Sequence, residues 1–396
     1  MIVGDYTLTD IIDTGGFGKV YRAYESSSFK PVAIKVSLKC GNKLKKEAKL
    51  IKSLSGCQGI PEVYDYGKWN NVYYIVLQLL GRNLYRQMLD NEKGFSLSCI
   101  IKIAEQVIER LKYIHSKGII HRDIKPEQLL LSISGEEIFI VDFGLSCKYI
   151  RNKVHRPFKS QVSTAGSVLF ASLHSHLAHR QSRRDDLESF FYTLLFLRNA
   201  HLPWEKSIHG LEGSSKWNAS YSSKLSHQHI LFYNWPVQFS QMFAYIRKLS
   251  YEETPNYEYF LNNFREIRQK MDLSDGFDWP VGRIIKPSSC EISSNGQLQP
   301  YKMNSDIKFI SADIKETKRN YKRKTIHLPL KHKHLRHVKK LTESKINVDI
   351  VIKDYLTCQK TDKADPPEIM DKRILDLAKS KNMEDLIEDH RVCIVI

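Results

Sequence analysis

The most constraining stretch of the chain is His121-Arg122-Asp123-Ile124-Lys125-Pro126-Glu127-Gln128-Leu129-Leu130-Leu131, a polar loop running into an apolar segment. A short apolar run, Ile140-Val141, follows and ends in Asp142-Phe143-Gly144. The residue types suit movement of a phosphoryl group. Asp123 is placed to accept the proton of a hydroxyl, and the cation at Lys125 to neutralise the group in transit. Asp142 is the acid that would hold a magnesium ion against nucleotide phosphates. Five positions after such a base an Asn is expected as another metal ligand, and this chain carries Gln128 there.

The N-terminal segment supplies the matching half. Residues 6–38 read as strand, turn, strand, strand, with the turn at Thr14-Gly15-Gly16-Phe17-Gly18. Glycines at a hairpin tip let backbone amides approach phosphate oxygens closely. Such a hairpin is common by itself, but Val32-Ala33-Ile34-Lys35 follows at the spacing that places Lys35 on the α- and β-phosphates. Residues 43–54 have apolar side chains at helical spacing, and their only acid, Glu47, is the natural ion-pair partner of Lys35. Val72–Leu80 reads as a strand leading to Gly81 and as a hinge between two lobes. There Leu77 would face an adenine pocket, and the backbone from Gln78 to Leu80 would bond the base. An ordinary buried strand is the plainer reading. Ser98–Ser116 is amphipathic through Ile100, Ile101, Ile103, Ala104, Val107, Leu111 and Ile114, a core helix feeding the polar loop.

Beyond Asp142, residues 147–165 are basic and without periodicity. The run starting at Gln181 is a charged entry to a buried helix. Residues 205–227, rich in Ser, Gly and Lys, read as a surface loop. Met242–Met271 reads as helical with a break near Pro255, and Phe277-Asp278-Trp279-Pro280 marks the domain end. At 396 residues and 42% hydrophobic content there is room for a large domain with an extension, and the formal charge of +17 favours anionic partners. Seven widely spaced cysteines without a CxxC pair fit a reduced compartment and give no disulfide framework. No signal peptide and no membrane span are expected.

Four motifs carry a resemblance. Tyr113-Ile-His-Ser-Lys-Gly-Ile-Ile-His-Arg-Asp-Ile-Lys-Pro, Ala171-Ser-Leu-His-Ser-His-Leu, Gln181-Ser-Arg-Arg-Asp-Asp-Leu-Glu-Ser and Leu202-Pro-Trp make residues 4–282 resemble the casein kinase 1 family. An Ala-Pro-Glu motif is absent, which also matches that family. The resemblance implies an α+β, two-lobed protein kinase fold over residues 1–282. Its β-rich N-lobe would span about 1–80 and its helical C-lobe about 81–282, followed by a basic extension. It implies transfer from ATP, with Mg2+ or Mn2+, to serine or threonine hydroxyls of acidic proteins by a monomer. Site residues follow by position. Ile12, Asp13, Thr14, Gly15, Gly16, Phe17, Gly18, Lys19, Val20, Ala33, Lys35, Glu47, Leu77, Leu80, Leu130 and Val141 would hold ATP. Asp123 and Lys125 would be catalytic, Gln128 and Asp142 would hold metal, and His121 and Asp186 would brace the loop.

The sequence departs from that family at three places. Asp13 replaces a loop glycine, with its carboxylate at an edge where water screens it. Gln128 adds one carbon–carbon bond, displacing the amide oxygen by roughly 1.5 Å. Leu169 stands where an anion-binding arginine is usual, with Lys216 as a remaining basic position.

The extension is read as linker (283–314), basic segment (315–345) and tail (346–396). Lys315–Lys340 holds eleven Lys or Arg against Glu316 alone. It fits a solvated disordered tail, or binding to an anionic membrane surface, RNA or a nuclear import receptor. With Tyr321 as its only aromatic residue, base stacking is the weakest of these. Cys393-Ile394-Val395-Ile396 fits a prenylation pattern, with a chance cysteine as the alternative. Ile369–Ile387 has helical apolar spacing. The expected location is intracellular: cytoplasmic, at a membrane through Cys393, or nuclear. Two functions stand at this point, an active kinase and a nucleotide-binding pseudokinase scaffold.

Overall fold

The computed structural model describes residues 2–15, 18–37, 41–90 and 94–281. The chain divides into two units, Met1–Glu291 and Ile292–Ile396, and every described residue lies in the first. Gly16, Phe17 and Cys393 fall outside the described residues, as do the linker, the basic segment and the expected helix at 369–387.

The N-lobe is a six-stranded antiparallel sheet, ordered β1-β2-β3-β4-β6-β5. Its strands are β1 (Ile2–Val3), β2 (Tyr6–Gly15), β3 (Gly18–Glu25), β4 (Pro31–Ser37), β5 (Val63–Trp69) and β6 (Val72–Gln78). β4 is central between β3 and β6 and buried along nearly its whole length, so it reads as an apolar run in which Lys35 is the exception. Helix α1 (Gly41–Lys52) packs on β5 and β6 through Leu44, Ala48 and Ile51, which share one helical stripe. Glu47 lies buried on that stripe, while Lys45, Lys46, Lys49 and Lys52 are exposed.

The C-lobe begins with α2 (Leu84–Leu89) and α3 (Leu97–Ser116). Ser96 caps α3 by accepting from the Cys99 N–H at 3.2 Å, and its own N–H and hydroxyl donate to Asp278. The apolar stripe of α3 is fully buried, as its period requires. Short strands follow: β7 (Ile119–Ile120), β8 (Leu129–Leu131), β9 (Ile138–Ile140), β10 (Cys147–Lys148), β11 (Ile150–Arg151) and β12 (Val154–His155). The last three give pairing to a segment that showed no period in sequence. β10 pairs with β7, and β11 with β12.

The remaining helices are α4 (Leu173–His176), α5 (Arg183–Asn199), α6 (Glu205–Ile208), α7 (Gly213–His227), α8 (Val237–Lys248) and α9 (Tyr257–Lys270). The surface loop expected over 205–227 is corrected: it is α6 and α7, with Ser220, Ser223 and Lys224 buried. The charged entry at Arg183–Glu188 is itself interior, because Arg183, Arg184, Asp185, Asp186 and Glu188 are all buried on α5. An aromatic cluster of Phe191, Phe232, Phe239, Phe243 and Phe260 joins α5, α8 and α9. No described helix is long and apolar enough to cross a membrane.

Candidate active site

The β8–β9 hairpin brings the two acidic motifs together. Leu129 pairs with Ile140, so the residues just outside the register, Gln128 and Val141, meet through a backbone hydrogen bond of 3.0 Å. Asp142 comes next, in the left-handed region at φ 62°, where a residue with a side chain stays only under strong local restraint. The restraint is visible: Asp142 Oδ1 accepts from Lys35 Nζ at 2.7 Å and Oδ2 from Gln128 Nε2 at 3.2 Å.

Lys35 also donates to both Glu47 oxygens, at 2.8 and 3.0 Å. One ammonium therefore serves two carboxylates, joining β4, α1 and the Asp142 turn. Burial alone would push Lys35 down, but the Glu47 and Asp142 charges outweigh it and hold the ammonium above its usual value. Burial pushes Glu47 up, against the pull of Lys35, while Asp142, also opposed by burial, is drawn below the usual carboxylate range by Lys35.

The loop that carries Asp123 hangs from Asp186 in the interior of α5. Asp186 accepts from the backbone N–H of His121 and of Arg122, both at 2.7 Å, and lies 2.9 Å from His115 Nε2. Burial would raise its carboxyl, but the His115 contact and the loop amides bring it below its usual value. Arg122 has φ 71°, and its Nε donates to the Leu145 carbonyl. His121 is fully buried, with Nε2 donating to the Val141 carbonyl at 2.9 Å and Nδ1 accepting from the Asp123 N–H at 3.3 Å. Those two bonds fix one imidazole tautomer and tie Asp123 to the strand end that leads to Asp142.

Asp123 is held from two directions. Its Oδ2 is 3.1 Å from Lys125 Nζ, and its Oδ1 accepts from Ser167 Oγ at 2.9 Å. Lys125 in turn donates to Ser167 Oγ at 2.8 Å, closing a triangle. Ser167 and the adjacent Gly166 went unrecognised as site residues in the sequence. Gly166 has φ +100°, and a Cβ there would lie 2.7 Å from the Arg122 carbonyl, so only glycine lets this segment approach the loop. The pairing of Gly166 with a following hydroxyl was the available signal.

Most of the expected nucleotide positions lie on β2, β3, β4 and β6 of the sheet. Gly18 has φ +146°, and a Cβ on it would strike the Val36 carbonyl at 2.1 Å, which explains glycine there. A register irregularity sets Ile12 between the paired residues Ile11 and Asp13. Thr14 pairs with Lys19, and Gly15 with Gly18. Asp13 is exposed and accepts from the Thr14 N–H at 2.8 Å, which engages its carboxylate at the loop edge. Val20 pairs with Lys35, and Ala33 with Leu77. Leu77 is partly buried against both the α1–β6 cluster and the main core. Leu80, Leu130 and Val141 are half-buried. At the expected hinge, the Gln78 N–H donates to the Glu62 carbonyl at 2.9 Å, so a bond from Gln78 to a base would have to come from its carbonyl. Leu169 packs half-buried on the core, and Lys216 lies on α7.

The donor set suits a hard divalent cation, which takes oxygen ligands. Asp142 is held ionised and Gln128 carries an amide oxygen. No group of three or more His, Cys, Asp or Glu side chains among the described residues forms a metal cage. Protein oxygens would thus supply part of the coordination and phosphates the rest.

A β-sheet N-lobe, a helical C-lobe and these two acids on adjacent loops make up the two-lobed fold of a protein kinase domain. The family model for the protein kinase domain matches residues 6–172, which include Lys35, Glu47, Asp123, Gln128, Asp142 and Ser167.

Proposed function

We propose that this chain is an ATP-dependent serine/threonine protein kinase of the casein kinase 1 type. The observation that carries the reading is the closed arrangement of six groups. Lys35 bridges Glu47 and Asp142, while Lys125 and Ser167 hold Asp123. In kinases of known mechanism such an assembly is the competent form. Asp123 orients the acceptor hydroxyl and takes its proton, and Lys125 lies beside it to offset charge on the moving group. Lys35 positions the nucleotide phosphates, and Leu80 and Ala33 flank the base. A divalent ion at Asp142 would neutralise charge on the phosphate oxygens.

Acidic proteins fit as substrates. The segment from Phe143 to Arg184 contains no Asp or Glu, and Lys148, Arg151, Lys153 and Lys159 are exposed on it. The motif at Cys393 and the basic run at 315–340 support attachment of an intracellular kinase to an anionic membrane surface. Gln128, standing where an Asn metal ligand is expected, and Asp13 favour a second reading, a nucleotide-binding pseudokinase scaffold. Incubation with labelled ATP and casein, followed by phosphoamino-acid analysis, tests the first reading. Label on serine or threonine supports it, and label on tyrosine alone would overturn the assigned specificity.

A further inference from the structure

Lys224, on the α7 helix that the sequence reading took for a surface loop, has no solvent exposure. A lysine is rarely buried completely unless its charge is matched. Its Nζ donates to the carbonyls of Val168 at 3.0 Å and Ala171 at 2.7 Å, and lies 3.0 Å from His176 Nε2. It also stands over the rings of Tyr192 and Trp204, at 4.8 and 5.1 Å. The acid facing it, Glu188, is engaged elsewhere, accepting from the Leu173 N–H and Tyr192 hydroxyl at 2.8 Å and pairing with Arg247 at 2.7 Å. Backbone carbonyls and aromatic faces therefore hold the side-chain amine, which burial pushes well below its usual pKa.

Two further donors act on the same turn. Ser220, four residues before Lys224 on α7, donates to the Val168 carbonyl at 3.3 Å, and Trp204 Nε1 donates to the Leu169 carbonyl at 2.8 Å. The carbonyls of residues 168, 169 and 171 thus all point into the C-lobe. The turn they belong to begins at Gly166, pressed on the catalytic loop, and Ser167, which bridges Asp123 and Lys125.

We propose that Lys224 is a positioning residue for phosphoryl transfer, a buried clamp that fixes the 166–171 turn so that Ser167 keeps Asp123 and Lys125 in register for the acceptor hydroxyl. The clamp rests on the kinase reading for its effect on catalysis, but its effect on the turn can be measured without it. Losing the amine leaves the Ala171 carbonyl buried without its donor and weakens the hold on Val168. The turn would then loosen at its base, next to Ser167, while the nucleotide side stays intact.

The test uses the full chain and the variants Lys224→Met and Ser220→Ala. For Lys224→Met, kcat/KM on casein should fall at least tenfold through both kcat and the casein KM. Affinity for a nonhydrolysable ATP analogue should change less than twofold. Amide exchange at Phe170 and Ala171, whose N–H groups both bond the Ser167 carbonyl, should quicken at least tenfold with α5 still protected. Ser220→Ala should shift the same readouts in the same direction by less. Unchanged exchange at those amides in Lys224→Met would overturn the clamp. So would exchange rising throughout the C-lobe with nucleotide affinity falling in step, which would reduce Lys224 to core packing. If Lys224→Met does not fold, Ser220→Ala and Trp204→Phe decide, and native exchange and native kinetics in both would overturn the proposal. Wild-type protein that transfers no phosphate would instead sink the kinase reading, with the exchange result still judging the clamp.

Discussion

Gln128 Nε2 donates to Asp142 Oδ2 across 3.2 Å, so the Asp123–Gln128 loop and the Asp142 turn already touch. An ionised carboxylate accepts only, so it draws the nitrogen end of the amide. Offering the oxygen to a cation requires the amide to turn over and give up that bond. Gln128→Asn, about 1.5 Å shorter, should relax this competition. The expected result is a several-fold lower Mg2+ concentration for half-maximal transfer, read from metal titrations of the rate, with the casein KM unchanged.

Lys35→Met should separate nucleotide binding from folding. It leaves Glu47 buried without its cation, and breaking a buried pair costs roughly 3 kcal/mol. The loss belongs at the lower end because Glu47, already pushed up by burial, can take up a proton. Chemical denaturation should show that decrease, and calorimetric titration should show ATP-analogue affinity reduced at least tenfold.

Asp185 gives the fold a pH signature. It is buried, accepts from Ser172 Oγ at 2.5 Å and the Ser182 N–H at 2.7 Å, and is pushed up to about 6 by burial. Its folded value exceeds the unfolded value near 3.8, so its contribution to stability is fully present below about 4 and lost as pH rises through about 6. The difference in unfolding free energy between wild type and Asp185→Asn should therefore change across that window, by about 3 kcal/mol. A pH-independent difference would rule out this assignment.

Trp279 secures the end of the described domain. Its indole N–H donates to the Gly135 carbonyl at 3.0 Å, and its ring stacks on Phe277 at 4.5 Å and tilts on Phe95 at 5.3 Å. Trp279→Ala should cost about 3–5 kcal/mol, measured by denaturant unfolding. Tyr233, 80% exposed, should lose less than about 0.5 kcal/mol on the same change.

What the sequence made legible follows from the physics of each element. The β4 run, the α1 stripe and the α3 stripe carry clean periods of burial, and the acids at 123 and 142 follow apolar runs that fix them. α7 hid because its inward face is polar. Ser220, Ser223 and Lys224 recur at helical spacing, yet no apolar stripe marks them, and their partners are backbone carbonyls that no sequence displays. The interior charges of α5 were obscured for a related reason, since Asp186 is matched by loop amides and His115. That Glu62 takes the Gln78 N–H was hidden because a strand pattern does not show which N–H groups another segment will take.

The central claim is that Asp123 is the base of a working phosphotransferase site. The most direct measurement is phosphate transfer from ATP to casein by the full chain, first with Mg2+ and then with Mn2+, beside Asp123→Asn. The account predicts transfer by the wild type and a drop of at least a hundredfold in the variant, with ATP-analogue binding retained in both. No transfer by folded wild-type protein with either metal, despite nucleotide binding, would contradict it and leave the pseudokinase scaffold.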